Sequence, residues 1–204
     1  MKKTMSAVAV LVALLTMSLG FPAGGYKIGD YVKDFELKNV DGKKVSMGMN
    51  KEVKGYIITF TCNTCPVAKA YEDRIIDLHK KFESKGFPVI AIQANDGERS
   101  PGDSYTAMQQ RAKAKNYGFP YLIDESQEIV KAFGATNTPH TFLVKKESNG
   151  FKLVYAGAID NNSQDGAAAT KKYIETAIEE VIANKEVSTP SVRAVGCGIK
   201  WKSV

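Results

Sequence analysis

Tyr56-Ile-Ile-Thr-Phe-Thr-Cys-Asn-Thr-Cys-Pro66 decides the reading of this chain. Its first half, Tyr56 to Phe60, is free of charge and rich in β-branched and aromatic side chains, the mark of a buried strand. After Cys65 the apolar residues Val67, Tyr71, Ile75, Leu78 and Phe82 recur three and four apart, which is one face of a helix. Pro66 fits the first turn, where its missing N–H costs nothing, and Gly86 suits the helix end. Two cysteines separated by two residues therefore stand where a strand gives way to a helix. Unpaired N–H groups and the helix dipole favour an anion there, so Cys62, the outer sulfur, is expected as a thiolate with a lowered pKa. Cys65, nearly a turn further in, is placed to attack a mixed disulfide formed on Cys62. Two other readings of Cys-x-x-Cys are an inert structural disulfide and a zinc site. Zinc needs two further ligands, and Cys197, His79 and His140 lack metal-site spacing.

Outward from this turn, strands and helices alternate. Phe35-Glu-Leu-Lys and Lys44-Val-Ser-Met predict an N-terminal hairpin turned at Asp41-Gly42. Phe87-Pro-Val-Ile-Ala-Ile92 reads as the next strand, and the polar stretch 95–103, with Gly97, Pro101 and Gly102, as an exposed loop. A helix over 105–115, a strand over 121–124 and a short helix over 125–133 closed by Gly134 follow. Strands at 141–145 and 151–155 flank Ser148-Asn-Gly, and 167–184 is the last helix. Such alternation predicts an α/β protein with a central mixed sheet covered by helices.

The length of 204 residues favours one domain, and 44% hydrophobic with 25% charged residues excludes a disordered or collagen-like chain. Lys2 and Lys3 followed by an apolar, charge-free run from Ala7 to Leu19 have the layout of a secretory signal. Residues 1–20 are read as that signal, with an uncleaved membrane anchor as the alternative. The folded domain is then 21–184, and 185–204 is an extended tail. Removing both lysines lowers the formal charge from +6 to +4, too small a bias for a nucleic-acid partner. Export into an oxidising compartment, the bacterial periplasm or outside, lets disulfides persist. Three cysteines are too few to staple a scaffold, and the odd count leaves one thiol over.

Phe60-Thr-Cys-Asn-Thr-Cys-Pro66 resembles the active-site turn of the thioredoxin superfamily, and Thr138-Pro139 resembles its cis-proline loop. Pro101-Gly-Asp-Ser104, Pro120-Tyr-Leu-Ile-Asp124, Ala132-Phe-Gly-Ala-Thr-Asn-Thr-Pro-His-Thr-Phe-Leu143 and Ala156-Gly-Ala-Ile-Asp160 are similar to the peroxiredoxin-like redoxin branch, related to alkyl hydroperoxide reductase/thiol-specific antioxidant (AhpC/TSA) proteins. The resemblance implies a thioredoxin-like fold. It also implies a cis peptide at Pro139 facing the two sulfurs, with Thr138 and Pro139 binding an extended substrate chain. A peroxiredoxin carries Pro-x-x-x-Thr-x-x-Cys; here Thr59 fits, but Gly55 stands at the proline position. The buried carboxylate that thioredoxins use is also absent from Tyr56 to Phe60, and Glu72 and Asp73 are expected on the solvated side of their helix.

The expected function is thiol–disulfide exchange with client proteins or small-molecule disulfides, using Cys62 as attacking thiol, Cys65 as resolving thiol and Thr138-Pro139 as substrate platform. Such an enzyme needs an electron donor that the sequence does not identify, and neither a cofactor nor a metal is implied. A thiol peroxidase with Cys62 as the peroxide-reacting sulfur is the first alternative, and a metal carrier the second. Cys197, in Gly196-Cys-Gly-Ile-Lys-Trp201, is a candidate third redox thiol if the tail folds back, with Trp201 pinning it. A buried free thiol and an intermolecular bridge are the alternatives. His140 is expected as a half-exposed strand histidine without a catalytic role.

Overall fold

The computed structural model describes residues 24–203. The expected signal at 1–20 lies outside the described residues. Among the described residues, ten strands and four α-helices follow in chain order: β1 (Tyr31–Val32), β2 (Glu36–Asn39), β3 (Lys44–Ser46), β4 (Gly55–Thr61), α1 (Pro66–Phe82), β5 (Val89–Gln93), α2 (Tyr105–Ala114), β6 (Tyr121–Ile123), α3 (Glu128–Phe133), β7 (Asn137–Thr138), β8 (His140–Glu147), β9 (Gly150–Gly157), α4 (Tyr173–Ile182) and β10 (Cys197–Gly198). Eight of the strands form one sheet in the order β1-β9-β8-β4-β5-β6-β2-β3. Its centre is parallel (β4, β5, β6), while β8, β9 and the β2–β3 hairpin run antiparallel. This is the mixed sheet that the alternation predicts.

Side-chain alternation divides the core. Tyr56, Ile58 and Phe60 of β4 point to one face with Ile90, Ile92 and Phe142, where α3 covers them with Ile129, Val130 and Phe133. Ile57, Val89, Ala91 and Leu143 point to the other, beneath Tyr71, Ile75, Leu78 and Phe82 of α1 and Ile174, Ile178 and Val181 of α4. Both faces of β4 are thus closed, and every one of its residues is buried. That is why it reads as a continuous apolar run instead of an alternating one.

Helix α1 ends as the sequence implies. His79, Lys80 and Lys81 meet the negative end of its dipole, and Gly86 takes the left-handed conformation (φ 92°) after a short 3-10 turn. Two helices start later than expected. Gln127 sits at φ 57°, and the Asp124 carboxylate accepts from Val130 N (2.8 Å), so α3 begins at Glu128. Asn161 Oδ1 accepts from the N–H groups of Thr170 and Lys171 (3.0 Å each), which diverts that stretch from helix until Tyr173.

The tail is not a free extension. Ala156 N donates to Pro190 O (3.0 Å) and Val192 N to Ala156 O (3.1 Å), which lays the chain along the end of β9. The approach is close enough that a Cβ on Gly157 would lie 1.9 Å from Val192 O. The chain then reaches the sulfurs, where β10 pairs antiparallel with β7. Trp201 packs against the first core face, as expected of a pinning residue, and Arg99 Nη1 donates to its carbonyl (2.8 Å).

Candidate active site

Strand β4 delivers Cys62 and helix α1 begins just after Cys65. The Cys65 sulfur serves as the helix N-cap and accepts from Ala68 N (3.4 Å). The cysteine pairing differs from the expected one. Cys65 is bonded to Cys197, across a sequence separation of 132 and with Cα atoms 6.0 Å apart, and Cys62 is a free, buried thiol. The expected Cys62–Cys65 bond is therefore not the one present. Spacing makes a Cys-x-x-Cys pair look self-sufficient, whereas the fold carries a distant third sulfur to the inner one.

The Thr138–Pro139 peptide bond is cis, as the resemblance implies. Thr138 stands between the sulfurs: its hydroxyl lies 3.1 Å from Cys62 Sγ and its carbonyl oxygen 3.3 Å from Cys65 Sγ. The backbone of Asn137 and Thr138 is paired with Gly198 and Cys197, so the tail lies beside the candidate substrate platform. Among the predicted site residues, Cys62, Cys65, Thr138 and Cys197 thus meet directly, and Pro139 lies beside them. His140 is half-buried and stacks on Phe142 at 4.5 Å between ring centres. Burial holds its pKa down at about 4.

The expected low pKa at Cys62 is also corrected. Burial pushes this thiol up, outweighing the hydrogen bonds from Thr138 and from the backbone of Cys65 and Thr64, and the negative charge of Asp103 pushes the same way. Asp103, fully buried, is a residue that sequence reasoning missed. Its carboxylate accepts from Asn63 N (2.6 Å), Thr64 N (3.1 Å), Thr64 Oγ1 (2.7 Å), Ser100 Oγ (2.6 Å) and Asn95 Nδ2 (2.9 Å). Tyr121 Oη donates to Asn63 Oδ1 (3.0 Å), so the two residues between the cysteines are held from both sides. The signal was Pro101-Gly-Asp103 itself, read as part of an exposed loop.

Asn95, which donates to Asp103, also holds the tail. Its Oδ1 accepts from Lys200 N (2.8 Å), and Gln127 Oε1 accepts from Lys202 N (2.7 Å). A single loop therefore fixes the Cys-x-x-Cys turn and the strand that carries Cys197.

Glu72, expected on the solvated side of α1, is buried. Arg111 grips its carboxylate through Nε (2.7 Å) and Nη2, while Tyr117 and Lys115 complete the shell. These partners come from α2 and the turn after it, which is why a charged residue can point inward here. Glu72, Arg111, Tyr117 and Cys62 line one small cavity behind the thiol, with room for roughly one water. Asp73 lies on the surface as expected, paired with Lys115 (2.9 Å). Among the described residues no cluster of three or more His, Cys, Asp and Glu side chains is placed to hold a metal ion.

Four similarities to known proteins bear on this geometry. The family model described as "AhpC/TSA family" matches residues 28–149. The thiol-disulfide oxidoreductase ResA of Bacillus cereus (strain ATCC 10987 / NRS 248) is 27% identical over 146 residues, which is 68% of this chain and 80% of that protein. An uncharacterized conserved protein from Geobacillus kaustophilus has a crystal structure that superposes with a TM-score of 0.81 at 32% identity, covering 91% of this chain and all of that one. The exposed lipoprotein thioredoxin of Streptococcus pneumoniae superposes with a TM-score of 0.55 at 21% identity, over 74% of this chain and 99% of that one, a likeness of fold.

Proposed function

The chain belongs to the AhpC/TSA family, and from that premise we propose that it is an exported thiol–disulfide oxidoreductase whose exchange chemistry runs through Cys62 and Cys65. The observation that carries this reading is a free Cys62 thiol beside a disulfide-bonded Cys65, both against the Thr138–Pro139 cis peptide. In the reduced enzyme the Cys62 thiolate attacks a client disulfide, a Cys62–client bond forms, and one client sulfur leaves. Cys65 then attacks Cys62 Sγ and releases the second client sulfur as a thiol. Thr138 and Pro139 position the client chain, and the Thr138 hydroxyl steadies the Cys62 sulfur. Clients are proteins or small molecules with accessible disulfides, and a separate dithiol donor restores the enzyme. ResA relatives support this reaction class.

Two features favour disulfide exchange over peroxide reduction. Gly55 occupies the position of the peroxiredoxin proline, and a Cβ there would lie 2.2 Å from Val144 O. The Thr59 hydroxyl, which that pattern places near the reactive sulfur, lies 3.1 Å from the Thr141 hydroxyl in the core. Export rests on the basic and apolar pattern of residues 1–20. No helix among the described residues is long and apolar enough to cross a membrane.

Insulin-disulfide reduction and hydrogen peroxide consumption, measured side by side on the purified protein and a Cys62→Ser variant, test the assignment. Disulfide reduction that disappears with Cys62 is expected. Peroxide turnover without disulfide reduction would replace this reading with the peroxidase.

A further inference from the structure

We propose that Cys197 is the thiol on which the enzyme stores its disulfide after each turnover, and that strand β10 is an internal substrate strap that closes the client edge of β7 when it does so. The inference rests on the exchange reaction proposed above and extends it by one step. Three observations carry it: Cys197 is already bonded to the resolving sulfur, Cys62 is left as the free thiol, and β10 occupies the backbone edge of Asn137–Thr138.

The chemistry closes without an outside reagent. When the client has left, the bond lies between Cys62 and Cys65. The Cys197 thiolate attacks Cys65 Sγ; the Cys65–Cys197 bond forms, the Cys62–Cys65 bond breaks, and Cys62 leaves as a thiolate that takes up a proton. The reverse attack of Cys62 on Cys65 expels Cys197 and frees the strap. One disulfide is conserved throughout, so no oxidant is consumed. Burial that favours the neutral Cys62 thiol keeps it protonated and quiet once the bond has moved to Cys65–Cys197.

The strap has fixed ends and a short movable middle. Upstream it is held by the Ala156 bonds to Pro190 and Val192, and downstream by Asn95, Asp96 and Gln127 on Lys200 and Lys202. Between them, residues 193–198 rest on the Cys65–Cys197 bond, the β10 pairing and the Asn137 side-chain amide, which donates to Gly196 O (3.2 Å). Glycine at 196 is what allows this seat, since a Cβ there would lie 2.2 Å from Thr138 O. Gly198 meets no such limit, with open space around its Cβ direction.

The test combines disulfide mapping with hydrogen exchange on the full chain. Oxidised protein should yield a Cys65–Cys197 peptide and one alkylatable thiol, Cys62. Oxidised Cys197→Ser should yield Cys62–Cys65 and no free thiol. Gly196→Ala should shift the bond to Cys62–Cys65 while leaving all three sulfurs in place. Amides of residues 193–198 should exchange about tenfold faster or more in the reduced protein and in both variants than in the oxidised protein. An oxidised wild-type protein containing only Cys62–Cys65, or equal exchange in every sample, overturns the strap. Insulin reduction in the same samples reports separately on the underlying reaction. In the wild-type protein, activity without a Cys65–Cys197 bond would sink the strap alone, and the bond without activity would sink the oxidoreductase alone.

Discussion

At the scale of single residues, reactivity here is decided by how backbone donors are shared. A strand-to-helix turn normally leaves its first N–H groups to stabilise a thiolate. In this protein Asp103 accepts from the N–H groups of Asn63 and Thr64, the second of which also reaches Cys62, and adds a negative charge near Cys62. Replacing Asp103 with Asn removes the charge and keeps the shape. Titration of the single free thiol of the oxidised protein, followed by thiolate absorbance, should therefore show the Cys62 midpoint fall in Asp103→Asn. An unchanged or raised midpoint would mean that Asp103 acts only as a scaffold. The same profile gives the pH dependence of exchange: with its thiol pushed above the ordinary cysteine range, Cys62 should gain reactivity continuously from pH 7 towards 9. Asp103 stood in the sequence inside the Pro101-Gly-Asp-Ser104 motif, but its burial did not show, because a carboxylate in a Gly- and Pro-containing loop reads as solvated until its five donors are assembled.

At the scale of elements, the sequence was most informative where one element's own pattern decides its place. Strand β4, helix α1 and the β2–β3 hairpin follow from apolar periodicity and turn chemistry. Elements whose limits depend on remote partners were less well read, as Gln127 before α3 and Asn161 before α4 illustrate. Glu72 belongs to the same class: its helix is obvious, but its inward direction follows from Arg111, Lys115 and Tyr117, supplied by a later helix and turn. The pairing of α1 with α2 consequently rests on a buried charge network, and breaking it leaves a guanidinium and a phenol without their acceptor. Glu72→Ala should lower the free energy of unfolding in urea by about 2–4 kcal/mol, less than a fully buried pair would lose because Arg111 remains partly exposed. A loss below about 0.5 kcal/mol is the size of an exposed pair and would show that water replaces the carboxylate.

At the scale of the molecule, the placement of the disulfide sets how redox state couples to stability. Two sulfurs in one turn were visible in the sequence, but the partner of Cys65 depends on a tail that crosses the end of β9 and returns to β7, a path no local pattern encodes. That path makes the bond a long staple. Cys65–Cys197 joins residues 132 apart, for which loop-closure entropy gives about 5 kcal/mol, against about 2 kcal/mol for the tight ring of Cys62–Cys65. Moving the bond from one pair to the other should therefore change the global stability of the protein as well as its reactive thiol. Urea unfolding with and without dithiothreitol reads this directly. Reduction should cost the wild-type protein about twice as much stability, or more, as it costs Cys197→Ser, in which only the short ring can form. Equal losses in the two proteins would mean that the oxidised chain is held by the short ring, and that the tail contributes its noncovalent contacts alone.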